Sequence, residues 1–316
     1  TINATDPNAN GDYLRNISVV HENNIEAHAQ GEIFNPLWMD HIGDFRVLRF
    51  MDWMETNNSE QSEWADRPQV NDFSWALEGV PVEVMVELAN QLGADPWFNM
   101  PHLATDDYMR QFASFVEQNL DPELRAHVEY SNEVWNWQFE QAITWTQYAS
   151  LRAMEMSQIW TEVFGDQTDA RLERILATQT DWLGLEQDIL NNPLWQAMGP
   201  GNDAPYLWFD SYAVTGYFSS NLGNEQKAQV VLGWISESEA RANAQADALG
   251  LSGADRTAYL EAHRYDYAVE LAIQELRDGS VTGDEGASLQ DLINTIFPYH
   301  AAVADQYGLD LIMYEG

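Results

Sequence analysis

Hydrophobic and polar positions along this chain follow one recurring order. A one-face helical stripe is followed by a glycine, a short solid apolar run and a polar loop. The spacing predicts a helix over Pro36 to Ile42 stopped by Gly43, then a strand Phe45-Arg46-Val47-Leu48-Arg49-Phe50. Pro81 opens a second helix whose apolar positions Met85, Leu88, Ala89 and Leu92 share a face. Gly93 ends it, and Pro96 to Met100 reads as the next strand. Thr105 caps a third helix, with Asp106 and Asp107 in its first turn and Tyr108, Phe112, Phe115 and Val116 on one face. Strands are then expected at Ala126 to Tyr130, Leu172 to Gln179 and Tyr206 to Val214. A last unit follows: a helix around His300 to Gln306, Gly308, and the strand Leu309 to Tyr314.

Helices alternating with strands buried on both faces imply a parallel sheet. This repeat favours an α/β (β/α)8 TIM barrel over an open doubly wound sheet. No glycine-rich phosphate loop follows the early strands, which weighs against a nucleotide fold. Two regions break the repeat. Residues 1–33 are polar apart from Ile17-Ser18-Val19-Val20, and read as a first barrel strand or the tail of a preceding β-domain. Residues 221–297 are helical and acidic, as in Glu237 to Leu249 and Ala258 to Arg277. They are too long for an ordinary connection and read as an insertion between a sixth and a seventh strand. The barrel domain then runs over 34–316, with its eighth strand absent from the chain.

Charge changes the picture more than composition does. There are 51 acidic against 14 basic residues, a net charge of −37, and Lys227 is the sole lysine. Such a surface repels nucleic acid and anionic membranes. It reads either as simple solubility or as adaptation to a salty habitat. No apolar run reaches the ~18 residues of a membrane span. Cysteine is absent, which excludes disulfide scaffolds, thiolate catalysis and zinc–thiolate sites. The seven histidines form no His-x-His or His-Glu-x-x-His cluster, so neither a metal nor another cofactor is expected. Oligomeric state is not encoded in any pattern here.

Candidate chemistry concentrates at two strand ends. Glu129-Tyr130-Ser131-Asn132-Glu133-Val134-Trp135-Asn136 and Leu311-Ile312-Met313-Tyr314-Glu315-Gly316 each deliver a glutamate at the C-terminal end of a short apolar strand. Two such carboxylates suit retaining glycoside hydrolysis, one as proton donor and one as nucleophile. Trp135 and Trp137 follow Glu133 closely and offer an aromatic wall for a proton donor. The duller readings are a helix N-terminal glutamate for Glu133 and a solvated chain-end residue for Glu315. Glu129 shares a face with Glu133 but lies deeper, and is expected to be a buried partner of an arginine. Thirteen tryptophans are many for 316 residues. Most fill core, but Trp53, Trp64, Trp75, Trp97, Trp135 and Trp137 fall near strand ends, and two or three are expected to line a glycan cleft.

At Asn132-Glu133 and Tyr314-Glu315-Gly316 the chain resembles clan A of the retaining glycoside hydrolases, whose barrels end the fourth strand in Asn-Glu and the seventh in a glutamate. Arg49 to Met54 and Glu129 to Asn136 look, more narrowly, like bacterial secreted proteins that pair a β-sandwich module with such a barrel. The resemblance implies a secreted or periplasmic location and a carbohydrate substrate. It implies Glu133 as acid/base, Glu315 as nucleophile, Asn132 as ligand of the sugar 2-hydroxyl and Arg49 as hydrogen-bond partner of the nucleophile. His102 lies where the clan often carries a histidine. Tyr217 matches a tyrosine that supports the nucleophile, although the usual His-x-Tyr is missing. The alternative is a catalytically silent carbohydrate-binding barrel of a modular protein. A metal-dependent barrel hydrolase is a third reading.

Overall fold

The computed structural model describes residues 5–6, 8–9, 11, 13, 19–142, 146–199 and 201–316. Its centre is a six-stranded sheet in the order β1-β2-β3-β4-β5-β6, parallel at every pairing. The strands are β1 Val47–Arg49, β2 Asp95–Met100, β3 Ala126–Tyr130, β4 Leu172–Ala177, β5 Ser211–Thr215 and β6 Asp310–Glu315. The helices that position them are α1 Pro36–Ile42, α2 Val82–Leu92, α3 Asp106–Asn119, α4 Thr146–Phe164 and α5 Leu185–Leu190. Between β5 and β6 come α6 Glu225–Ala248, α7 Gly253–His263, α8 Asp266–Asp278 and α9 Phe297–Tyr307.

This architecture corrects the expected (β/α)8 barrel. The sheet is a curled half-barrel of six strands, and the ladder ends at β1 and at β6. The helical insertion therefore falls between the fifth and sixth strands, not the sixth and seventh. Solid apolar runs report that a strand is buried on both faces; they carry no information on whether the sheet closes. No strand forms among the described residues of 1–33. Residues 22–24 make a single 3-10 turn, Ile25–Ala29 a short helix, and Val19 stands 98% exposed. Ile17 and Ser18 of the expected first strand lie outside the described residues.

Local chemistry sets the element ends. Asn35 and Thr105 cap α1 and α3 by accepting from Leu37 N–H and Tyr108 N–H. Gly93 and Gly308 close α2 and α9 in the left-handed conformation that costs glycine least. The expected strand from Tyr206 begins only at Ser211, because Pro205 starts a 3-10 turn through Trp208. The long expected helix Ala258 to Arg277 is broken between His263 and Asp266.

The outer face of the sheet is covered by an aromatic layer. Phe98 of β2 meets Phe112 of α3 edge-on at 5.2 Å, and Phe112 meets Trp160 of α4 at 6.1 Å. Phe98 and Trp160 are fully buried, each contributing on the order of 2–3 kcal/mol of burial free energy. The inner face is different in kind: Arg49, Trp97, Asn99 and Glu129 turn inward near the strand C-termini. No helix among the described residues is long and apolar enough to cross a membrane.

Candidate active site

Arg49, the last residue of β1, organises the site. Its Nε and Nη2 donate to Glu129 Oε2 at 3.2 and 2.9 Å, and Nη2 also reaches Asn132 Oδ1 at 3.0 Å. Its Nη1 donates to Glu315 Oε1 at 3.0 Å. The guanidinium lies 5.4 Å from the Trp97 ring centre and 5.0 Å from that of Tyr314. Planar, permanently charged and five-donor, it suits a place between two carboxylates.

Glu129 sits beneath this centre as the alternation of β3 predicts. Its Oε2 also accepts from Trp97 Nε1 at 3.0 Å and Asn99 Nδ2 at 2.8 Å. Burial pushes its carboxyl above the ordinary carboxylate range, against the opposing pull of Arg49, Asn99 and Trp97. All its partners are donors from the fold itself, so Glu129 anchors Arg49 and does not face the opening.

Asn132 and Glu133 leave β3 through a contorted turn. Ser131 and Glu133 have φ of +57° and +41°, both non-glycine residues in the left-handed region. Such strain persists only where surrounding structure holds it, and it clusters at functional positions. Asn132 is held by Arg49 on its oxygen and by donating Nδ2 to Asn57 Oδ1 at 3.0 Å. Gln141 Nε2 clamps the same turn, donating to Asn57 Oδ1 and to the Asn132 carbonyl. Glu133 is partly exposed; its Oε2 accepts from Asn136 Nδ2 at 2.8 Å and its Oε1 from Tyr314 O–H at 3.4 Å.

The other carboxylate owes its direction to a bulge. Along β5 and β6, Val214 pairs with Met313 but Thr215 pairs with Glu315, leaving Tyr314 as the extra residue. In a regular strand, Tyr314 and Glu315 would point to opposite faces. The bulge turns both toward Arg49. Glu315 Oε2 then accepts from Tyr217 O–H, and Gly216 N–H donates to the Glu315 carbonyl at 2.7 Å. A Cβ on Gly216 would lie 2.5 Å from Met313 Sδ, the end of a flexible, half-exposed side chain that would have to move aside. The hydrogen bond to Glu315, aided by burial, pushes the Tyr217 phenol up to about 12, keeping it a donor across the physiological range.

The structure thus gathers Arg49, Asn132, Glu315 and Tyr217 into one hydrogen-bonded group at the strand C-termini, with Glu133 beside it, bonded to the hydroxyl of Tyr314 whose ring faces Arg49. The remaining candidates lie around it differently. His102 follows β2; its carbonyl accepts from Tyr130 O–H, its Nδ1 makes no hydrogen bond among the described residues, and burial holds its pKa below the usual value. No hydrogen bond among the described residues joins it to Arg49 or to either glutamate. Trp53 stacks on Trp38 at 5.8 Å and packs on Phe50. Trp97 and Trp135 are buried, Trp64 packs on Tyr108 and Phe112, and Trp75 donates to the Gln69 carbonyl. Trp135 lines a small internal cavity with Glu133 and meets the Tyr314 ring. Trp137 alone of that set is strongly exposed.

Sequence reasoning missed Tyr314, Asn57, Asn99, Asn136 and Trp182. Tyr314 had a signal in its adjacency to Glu315, but alternation alone sends it the wrong way. The asparagines carry no pattern that separates them from loop polar residues. Among the described residues no group of three or more His, Cys, Asp or Glu is placed to hold a metal ion. No protein-family model, curated protein or solved structure matches this chain.

Proposed function

We propose that this chain is a retaining glycoside hydrolase that acts outside the cytoplasm on β-linked polysaccharides or oligosaccharides. Glu315 is the nucleophile and Glu133 the acid/base. The observation that carries this reading is the unequal surroundings of two carboxylates at the strand C-termini, both beside the Tyr314 and Arg49 pair. Glu315 is oriented by a cation, Arg49, and a phenol, Tyr217. Glu133 is oriented by neutral donors only and borders an open cleft. The placement at strand C-termini matches where α/β sheets bind ligands.

In the first step a Glu315 oxygen attacks the anomeric carbon as the glycosidic C–O bond breaks, and Glu133 gives its proton to the departing oxygen. In the second, Glu133 takes a proton from water, whose oxygen displaces Glu315 and releases the sugar. Asn132, fixed by Arg49 and Asn57, presents an amide to a sugar hydroxyl. Arg49 and Tyr217 hold Glu315 in line.

The test is hydrolysis of a panel of aryl β-glycosides with the first-formed anomer read by NMR. Glu315→Ala should nearly abolish turnover and be rescued by azide. Glu133→Ala should spare activated leaving groups far more than unactivated ones. Equal losses on both would end the acid/base assignment. Binding of polysaccharide without any turnover by the wild type would leave a carbohydrate-binding protein instead.

A further inference from the structure

A cleft of about 680 Å³ opens beside Glu133, between the loop after β3 and the loop after β4. It contains Glu133, the proposed proton donor, but neither Glu315 nor Arg49. Two indoles border it that the core does not use: Trp137 is 83% exposed and Trp182 49%. Exposed tryptophans are costly to leave against water unless something covers them. Both loops are held in shape. Asn136 N–H donates to the Glu133 carbonyl at 2.8 Å and Phe139 N–H to the Asn136 carbonyl at 3.0 Å, which frames Trp137. Trp182 N–H donates to Gln179 Oε1, and Leu185 N–H to the Trp182 carbonyl at 3.1 Å. The indoles are thus carried on ordered turns.

We infer that this cleft is the leaving-group subsite and that it takes neutral sugar units stacked on Trp137 and Trp182. The inference rests on the proposed glycosidase reading. Glu133 protonates the departing oxygen, so whatever that oxygen is attached to must extend from Glu133 into the space it borders. Flat indoles match the apolar C–H faces of pyranose rings. Between them, Gln138, Gln179 and Asp181 offer amide and carboxylate groups to hydroxyls. Among the described residues no arginine or lysine lines the cleft, and Asp181 places a carboxylate there. A uronate or other anionic sugar would meet the Asp181 carboxylate and no counter-charge, so a neutral glycan fits and an acidic one does not.

Kinetics on two leaving groups test this. A β-glycosyl fluoride expels fluoride, which cannot reach an indole; a neutral β-linked tetrasaccharide expels sugar. With glucosyl, xylosyl, mannosyl and galactosyl fluorides and the matching tetrasaccharides, Trp137→Ala and Trp182→Ala should each lower the ratio of tetrasaccharide to fluoride kcat/KM. The expected fall is roughly tenfold for each ring, the factor that a lost contact of ~1.4 kcal/mol gives. A ratio unchanged within twofold in both variants and in the double variant would overturn the subsite while leaving the glycosidase reading intact. A wild type that turns over tetramannuronate faster than tetramannose would overturn the neutral-sugar assignment. A wild type inert on every fluoride and tetrasaccharide would overturn the catalytic reading, and the leaving-group assignment with it.

Discussion

Arg49 ends the first strand of the sheet and Glu315 ends the last, yet Nη1 and Oε1 are 3.0 Å apart. In a flat six-stranded sheet five steps of about 4.8 Å would separate them by ~24 Å. Their contact therefore measures the curl: the half-barrel bends until its two edges meet through side chains across the strand C-termini. The same guanidinium is tied to the buried Glu129 at 2.9 Å. One arginine thus joins the floor of the site, the turn carrying Glu133 and the residue proposed to attack.

Removing that arginine separates its two duties. Arg49→Met leaves Glu129 buried without a counter-charge, which costs roughly 3–5 kcal/mol when one partner of a buried pair is lost. The double variant Arg49→Met/Glu129→Gln should regain much of that stability in denaturant unfolding, since the stranded charge is gone. It should not regain turnover, because Glu315 still lacks its cation. Recovery of activity together with stability would show that Arg49 serves the fold alone.

Tyr217 offers a cleaner separation, because it is mostly exposed and contributes little packing. Its hydroxyl donates to Glu315. Tyr217→Phe should leave the unfolding midpoint nearly unchanged and lower kcat by roughly ten- to a hundredfold, the range of a hydrogen bond to a charged group. An unaltered kcat would place the tyrosine outside the mechanism.

The six strands were legible because each is a short apolar run bounded by turn residues, and Glu129 as an arginine's partner followed from simple alternation. Whether those six strands belonged to a closed eight-stranded barrel or to an open curled sheet was not legible. Closure depends on how neighbouring strands twist and on what lies at the two edges, and Arg49 and Glu315 meet only after the sheet has curled. Alternation also failed at Tyr314, where one extra residue in β6 reverses the face of everything after it. Trp182 was invisible for another reason: its value lies in sharing a cleft with Trp137, 45 positions away in sequence, and nothing local marks it.

His127 at the start of β3 predicts acid sensitivity unrelated to the site. Burial, with Arg125 adding to it and Asp95 opposing, pulls its pKa down to about 4 from an unfolded value near 6.5. Between these values the unfolded chain holds the proton and the folded chain does not. Stability from this group is therefore present above pH ~6.5 and falls as pH drops toward 4, by about 3 kcal/mol in all. His127→Gln removes that slope. Plotted against pH, the stability of wild type minus variant should decline by that amount from pH 7 to 4; parallel curves would refute the assignment.

The sole lysine tells how the helical insertion is fastened. Lys227 of α6 donates to Glu275 of α8 at 2.9 Å and to the Ser220 carbonyl at 2.7 Å, three residues beyond Tyr217. Burial pushes the Glu275 carboxyl up, but Thr282 and Lys227 together pull it below the usual range. Lys227→Met leaves the buried Glu275 carboxylate with its Thr282 donors but no counter-charge and should cost up to roughly 3–5 kcal/mol, while Lys227→Arg should cost less. Hydrogen exchange should then quicken over residues 217–224 and 275–284. Unchanged protection there would mean that the insertion is anchored elsewhere.

Salt tests what the charge is for. With 51 acids against 14 bases, exposed carboxylates crowd one another. The Debye length is about 30 Å at 0.01 M and ~3 Å at 1 M, so repulsion between surface acids is mostly screened by about 0.3 M. Generic screening should therefore raise the melting temperature early and then level off. A surface adapted to brine should go on gaining stability with sodium chloride into the molar range, beyond the point where Debye screening has little left to give. The comparison is internal to one titration, so it needs no reference protein. A melting temperature that plateaus below about 0.3 M would mark this as an acidic protein of ordinary habitat, and its charge as a device for solubility alone.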